Sequence, residues 1–209
     1  MPVIYEQEPG AAARLFGDRI ELARQFTAAL AEQGETRGLI GPLELPRLWS
    51  RHVLNCAIVA PLVREGVVGD IGSGAGLPGL VLAIARPDVR FVMIEPMERR
   101  TAWLNEQVSA LGLTNAEVMR SRAEDATPVR PFDQVTARAV SAFRTLVPLT
   151  APLVRSGGEL VLMKGVNAAA EVTAAEKAIR KYRLNDVEVL TLGEGILDET
   201  TRVIRATVE

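Results

Sequence analysis

The sequence predicts a doubly wound α/β fold, with a mostly parallel sheet, an antiparallel pair at its C-terminal end and helices ahead of it. Three observations predict it. Beyond Gly66, short apolar runs alternate with helical stretches. The stretch DIGSGAGLPG at 70–79 places four glycines between one such run and the next helix. The run after that ends on an acidic residue, Glu95, 21 positions past Gly74. Strand and helix in alternation mark βαβ units, and a bare turn between them is where such sheets take a nucleotide.

Taken in order, residues 1–65 read as an N-terminal helical extension and 66–209 as the sheet domain, together one compact unit. From Ala11 to about Gln33, Leu15, Ile20, Leu22, Phe26, Ala29 and Leu30 recur at helical spacing. Gly34 and Gly38 punctuate a turn, and a second helical region runs from about Glu44 to Glu65. The strand VVGDI, the helix LPGLVLAIA, the strand VRFVMIE, the helix RRTAWLNEQVSAL and the strand AEVMR follow. QVTARAV, TLVPLTAPLV and ELVLMKG continue the alternation, with the first helix of the sheet domain beginning near Leu77. DVEVLTL and TRVIRATVE lack a convincing helix between them and read as an antiparallel pair closing the sheet edge.

Composition narrows the function classes. A chain of 209 residues with 48% hydrophobic content suits one domain with an appendage. Its apolar runs fall short of the roughly 18–20 residues of a membrane span, and MPVIYEQEPG lacks the basic and apolar regions of a signal peptide. A cytoplasmic protein, with no membrane partner, is expected. The lone Cys56 excludes an internal disulfide and a cysteine metal cluster, and no metal is expected. Net charge is −2, yet residues 37–144 carry 13 basic groups, all arginine, against 11 acidic ones. A coding bias explains this as readily as a phosphate-binding surface, although arginine does grip phosphate bidentately.

In the loop, Gly72 and Gly74 permit a tight turn and close approach of a ligand to the backbone, while Gly76 and Gly79 let loop, helix and sheet pack together. Pro78 suits a first helical turn, where no hydrogen bond is lost. Glu95 stands where a carboxylate meets ribose hydroxyls, a feature shared by NAD and S-adenosyl-L-methionine. Two features separate these ligands. Little chain remains after the sheet for a nicotinamide half, and the only histidine, His52, lies upstream of it and offers no proton relay. The order of acidic strand, glycine loop, Glu95 and the later RAED fits a Rossmann-like class I S-adenosylmethionine-dependent methyltransferase better.

VVGDIGSGAGLPGLVLAIARPD, RSRAED, TARAV and GGELVLMKG, preceded by LWSRHVLNC, resemble the RsmG (GidB) family, in order and from about Ile40 onward. The resemblance implies methylation of guanine N7 in the 530 loop of 16S ribosomal RNA, with the rRNA or a small ribosomal subunit particle as partner; a monomer is expected, although the sequence does not fix the oligomeric state. The resemblance also implies that Gly72, Leu77, Ala123, Glu124 and Arg138 line the cofactor site, which adds to Gly74, Gly76 and Glu95 as read from the loop and its spacing. Family members commonly carry a serine before that arginine and a lysine–arginine pair after the acidic strand. Ala137 and Arg99–Arg100 stand there here, so charge is kept while the serine hydroxyl is missing.

The residue types agree with N7 chemistry. The chain lacks the Asn- or Asp-Pro-Pro-aromatic motif used on exocyclic amines, and Cys56 has no obvious base beside it for attack on a pyrimidine. Guanine N7 is an unprotonated acceptor, so proximity and orientation suffice and no catalytic side chain is required. The candidate RNA contacts are Arg51, His52, Arg99, Arg100, Arg122 and Lys164. His52 reads equally as a satisfied helix histidine, and Lys164 as the partner of a nearby acid. Two other functions fit the same loop, a small-molecule methyltransferase and a nucleotide-binding regulator without turnover.

Overall fold

Seven strands, in the order β3-β2-β1-β4-β5-β7-β6, make one sheet in the computed structural model, which describes residues 4–209. Two helices, α1 (Ala11–Phe16) and α2 (Ile20–Gln33), come first. A π-helical stretch Leu48–Leu54 then runs into the short α3 (Asn55–Ala57). β1 (Val67–Ile71), α4 (Gly79–Ala85), β2 (Arg90–Ile94), α5 (Glu98–Ala110) and β3 (Ala116–Met119) form the first half of the sheet. β4 (Phe132–Arg138), α6 (Phe143–Thr150), β5 (Val154–Lys164), α7 (Ala168–Thr173) and α8 (Glu176–Lys181) form the second. β6 (Leu184–Leu192) and β7 (Thr201–Val208) end the chain. β1 to β5 pair in parallel, whereas β7 is antiparallel to both β5 and β6. The C-terminal antiparallel pair closes this edge of the sheet, as expected, with β7 between β5 and the outermost β6.

Both faces of the sheet are buried, as a parallel sheet requires. Alternate side chains go to opposite cores. Phe91, Met93, Val161, Met163 and Val203 pack on one side, and Val92, Ile94, Leu160, Leu162 and Ile204 on the other. The first core also holds Phe26, Leu30, Trp49 and Val53, so the N-terminal extension shares its apolar interior with α4 and α5. Polar ties fasten it further. The Gln134 side chain on β4 accepts the Arg64 backbone N–H at 2.7 Å and donates to the Leu62 carbonyl at 3.0 Å.

The two N-terminal helical regions are more broken than periodicity predicts. Gly17 takes φ +50°, outside the helical region, and separates α1 from α2. Pro46 and Pro61, which cannot donate a backbone hydrogen bond, open short 3-10 turns at Leu45–Arg47 and Ala60–Leu62. α4 begins at Gly79, two residues later than expected, with Pro78 in the capping position ahead of it.

Candidate active site

The carboxyl ends of β1, β2 and β4 meet at the glycine loop. Gly72, Gly74 and Gly76 take φ of +71°, +55° and +94°, conformations a side chain rarely tolerates. A Cβ on Gly76 would lie 2.4 Å from Leu80 Cδ1, and one on Gly79 would lie 2.5 Å from Asp70 Oδ2. Gly76 and Gly79 thus serve packing, as expected, whereas a Cβ on Gly74 meets only the Gly72 carbonyl at 3.8 Å. Gly74 is needed for its backbone angle, and the space in front of it is open.

Three side chains hold the loop from behind. Ser73 Oγ donates to the Asp70 carbonyl at 2.9 Å, and the fully buried Trp103 of α5 donates its indole N–H to the Ala75 carbonyl at 3.0 Å. Glu95 accepts the Gly74 N–H on Oε2 at 2.9 Å and the Met97 N–H on Oε1 at 3.0 Å, with Arg100 Nη1 at 3.9 Å from Oε2. The carboxylate expected at a ribose is therefore also the anchor of the loop. It is nearly enclosed, and each oxygen retains one further lone-pair direction.

Asp70 is the other acidic residue at this turn and is completely buried. Its Oδ2 accepts the Gly79 N–H at 3.0 Å, while Oδ1 has no partner among the described residues. Burial pushes its carboxyl up to about 7, against the Gly79 hydrogen bond, and the nearby Glu95 charge adds to the rise.

In front of the loop lies a cleft of about 350 Å³ whose walls include Gly72, Gly74, Leu77, Arg100 and Arg138. Its far wall is the N-terminal extension, through Leu39 to Gly41, Glu44 and His52. Arg138, at the end of β4, donates from Nη2 to His52 Nδ1 at 2.9 Å and to the Arg51 carbonyl at 3.3 Å. Its Nη1 reaches Cys56 Sγ at 3.4 Å. His52 Nε2 lies 2.6 Å from Glu44 Oε2. Guanidinium can only donate, so Nδ1 is the acceptor and Nε2 carries the proton. Burial, and next to it the Arg138 charge, lower the His52 pKa from its ordinary value against the pull of Glu44. Burial also raises the Cys56 thiol. Burial alone would raise Glu44, but the His52 bond and the Arg47 and Arg51 charges hold its carboxyl below the ordinary range.

The structure distributes the sequence-predicted residues unevenly. Gly72, Gly74, Leu77, Arg100 and Arg138 share the cleft. Gly76 is buried behind it, and Ala123 and Glu124 sit in a separate 3-10 turn, Ala123–Asp125, that follows β3 outside the cleft walls. Arg51, Arg99 and Arg122 are exposed. Lys164 takes its other reading: Nζ lies 2.8 Å from Glu171 and 2.6 Å from the Ser141 carbonyl, with the side chain 8% exposed. His52 is likewise bonded on both ring nitrogens, and at 12% exposure it is a wall of the cleft, not an open RNA contact. Sequence reasoning missed Glu44. Its only signal was a position eight residues before His52, and the Pro46 turn between them takes Glu44 off the helical stretch that carries His52.

Comparison with known proteins identifies the family. A model of the rRNA small subunit methyltransferase G family matches residues 19–201. The chain belongs to that family. It is 72% identical over 203 residues to the ribosomal RNA small subunit methyltransferase G of Leifsonia xyli, covering 97% of each chain. Against the protein of the same name from Paenarthrobacter aurescens it is 50% identical, covering 100% of this chain and 97% of that one. Among solved structures, a SAM-dependent methyltransferase from Aquifex aeolicus superposes with a TM-score of 0.59 at 17% identity, over 84% of this chain and 98% of that one. The N-methyltransferase NodS from Bradyrhizobium japonicum, solved with S-adenosyl-L-homocysteine, gives 0.57 at 16% identity, over 84% and 97%. At such identity the likeness is one of fold, the Rossmann-like fold of these class I methyltransferases. Membership of the methyltransferase G family makes the chain an rRNA methyltransferase of the small subunit. No helix among the described residues is long and apolar enough to cross a membrane.

Proposed function

We propose that the protein methylates guanine N7 in the 530 loop of 16S rRNA, with S-adenosyl-L-methionine as donor. The observation that carries the choice of atom is the state of the titratable groups around the cleft. His52 is bonded at both ring nitrogens, the Cys56 thiol is buried behind Arg138, and Asp70 lies beneath the loop. None of these three is placed to take a proton from a substrate, and the cleft carboxylate Glu44 is engaged by His52 Nε2. Guanine N7 has none to give, so alignment of the reactants, which can contribute roughly 7–11 kcal/mol, is the catalytic device the site supports.

The donor fits the residues present. The open space before Gly74, the unpartnered oxygen of Asp70, the Arg100 guanidinium and the Nε–H of Arg138 match a ligand carrying both an ammonium and a carboxylate. When bound, S-adenosylmethionine supplies a methyl group on a sulfonium, whose thioether product keeps the electron pair of the broken bond. Glu95 retains lone pairs for the ribose hydroxyls, Gly72 and Gly74 give access to the backbone, and Leu77 supplies an apolar wall. Ala123 and Glu124 would extend the site beyond the cleft. A second cavity, of about 380 Å³, shares Arg138 and Ala139 with the first and also includes Arg51, Asn55, Lys164, Glu199 and Arg202. It offers the target nucleotide a place beside the methyl group. Arg51, Arg99 and Arg122 are the exposed cations available to RNA phosphates, whereas Lys164 contributes through its ion pair.

The test is transfer of labelled methyl groups to small ribosomal subunits, and to naked rRNA, that lack the modification. The expected product is 7-methylguanosine in the 530 loop. Single-turnover rates, with cofactor saturating, should be flat from about pH 6 to 9, since no proton leaves N7. Methylation at another atom, or a tenfold rise per pH unit, would remove N7 as the target.

A further inference from the structure

The N-terminal extension forms one wall of the cofactor cleft, and its contact with Arg138 follows a defined proton order. Glu44 accepts from His52 Nε2 at 2.6 Å, and His52 Nδ1 accepts from Arg138 Nη2 at 2.9 Å. Glu44, His52 and Arg138 all line the same cleft as the glycine loop. We propose that Glu44 and His52 are positioning residues that hold the Arg138 guanidinium toward the cofactor by fixing the neutral Nε2–H tautomer of the imidazole. The proposal rests on the reading of Arg138 as a cofactor contact.

The chemistry is directional. A guanidinium keeps its protons at any accessible pH, so Nδ1 serves it only while that nitrogen is bare. The Glu44 carboxylate accepts but cannot donate, which places the single imidazole proton on Nε2 and leaves Nδ1 free. If the imidazole is protonated, Nδ1–H faces Arg138 Nη2–H and the bond is lost. The charged groups around the ring are Glu44 and Arg51 from its own segment and Arg138 from β4. The Cys56 thiol of α3 meets Arg138, Arg47 pairs with Glu44, and Arg100 of α5 lines the same cleft. Burial and Arg138 oppose protonation while Glu44 favours it, and the neutral form prevails at neutral pH. Cofactor affinity should therefore be full at neutral pH and fall as His52 protonates, below its ordinary value of 6.5.

His52 is the only histidine in the chain, so its ring nitrogens can be assigned without ambiguity in untagged full-length protein. Nitrogen-15 spectra at pH 7.5 should show a protonated Nε2 and a bare Nδ1. Titration calorimetry with S-adenosylhomocysteine should find R138Q and H52L each weaker by about tenfold, the loss of one charge-assisted hydrogen bond. The double variant should be no weaker than R138Q alone. Wild-type affinity should drop at low pH, with a midpoint that moves lower in E44Q, where the carboxylate favouring the imidazolium is gone. H52L should show no such midpoint. A proton on Nδ1, additive losses in the double variant, or an unchanged midpoint in E44Q would overturn the proposal while leaving Arg138 a cofactor residue. Wild-type affinity in R138Q would instead overturn the reading beneath it, and the proposal with it. Should H52L fail to fold, the spectra and the E44Q midpoint still decide.

Discussion

Asp70 illustrates what a single side chain contributes and costs. A carboxyl with no exposure and one unpartnered oxygen loses solvation when ionised, which is why its pKa rises from 3.8 to about 7. The folded state then binds more protons than the unfolded chain between those values. The stability Asp70 contributes is full below the unfolded carboxyl value and is lost as pH rises through about 7. D70N, which keeps an acceptor for the Gly79 N–H without the charge, should therefore gain on the wild type as pH rises. Urea midpoints at pH 4.5 and 8 measure this. The gain at pH 8 should be the larger, with a ceiling of roughly 4 kcal/mol. The same variant should bind S-adenosylhomocysteine more weakly if the free oxygen serves the cofactor.

At the scale of elements, the glycine loop owes its shape to its neighbours as much as to its own residues. Glu95 at the end of β2 holds Gly74, Trp103 of α5 holds Ala75, and Asp70 of β1 holds Gly79. Two substitutions separate packing from conformation. G79A would place a methyl 2.5 Å from Asp70 Oδ2 and 2.8 Å from Met93 Cγ, so α4 must shift off the sheet. An overpacking cost of about 1–3 kcal/mol is expected in thermal or urea unfolding. G74A meets nothing closer than 3.8 Å and pays only for its positive φ, roughly 1–2 kcal/mol. Its larger effect should be on cofactor binding, since the added methyl stands beside the cleft. Equal affinity in G74A and the wild type would show that the ligand does not approach this backbone.

For the whole molecule, the net charge of −2 gives no general attraction for a polyanion, so RNA binding must be local. Arg99 is exposed at the start of α5, close to the turn at Gly38 in the N-terminal extension. R99E should weaken binding to small-subunit rRNA and flatten its salt dependence by about one unit of slope for each phosphate it no longer neutralises. K164E should act differently. It breaks the pair with Glu171 and places like charges together, so its first effect should be on stability, read by thermal unfolding, and not on the salt slope. An unchanged slope in R99E, or a flattened slope in a fully stable K164E, would move the RNA path toward β5.

By itself the sequence determined the sheet, the place of the nucleotide loop, the acidic end of β2 and the family. These rest on local signals: short continuous apolar runs such as RFVMI, glycines at fixed offsets, and a carboxylate at a set distance from the loop. The breaks in the N-terminal helices were partly legible at Gly17, Pro46 and Pro61, whose backbone limits act on the spot. Tertiary structure alone decided the partners of the polar residues. Arg138 and His52 are 86 positions apart, and Lys164 meets Glu171 only where α7 returns past the end of β5. A charged side chain carries no periodic mark of its partner, because an ion pair or shared proton needs only that two groups be brought within about 3 Å. That juxtaposition is set by how the helical extension packs against the sheet, through apolar residues distant in sequence from the charges they bring together.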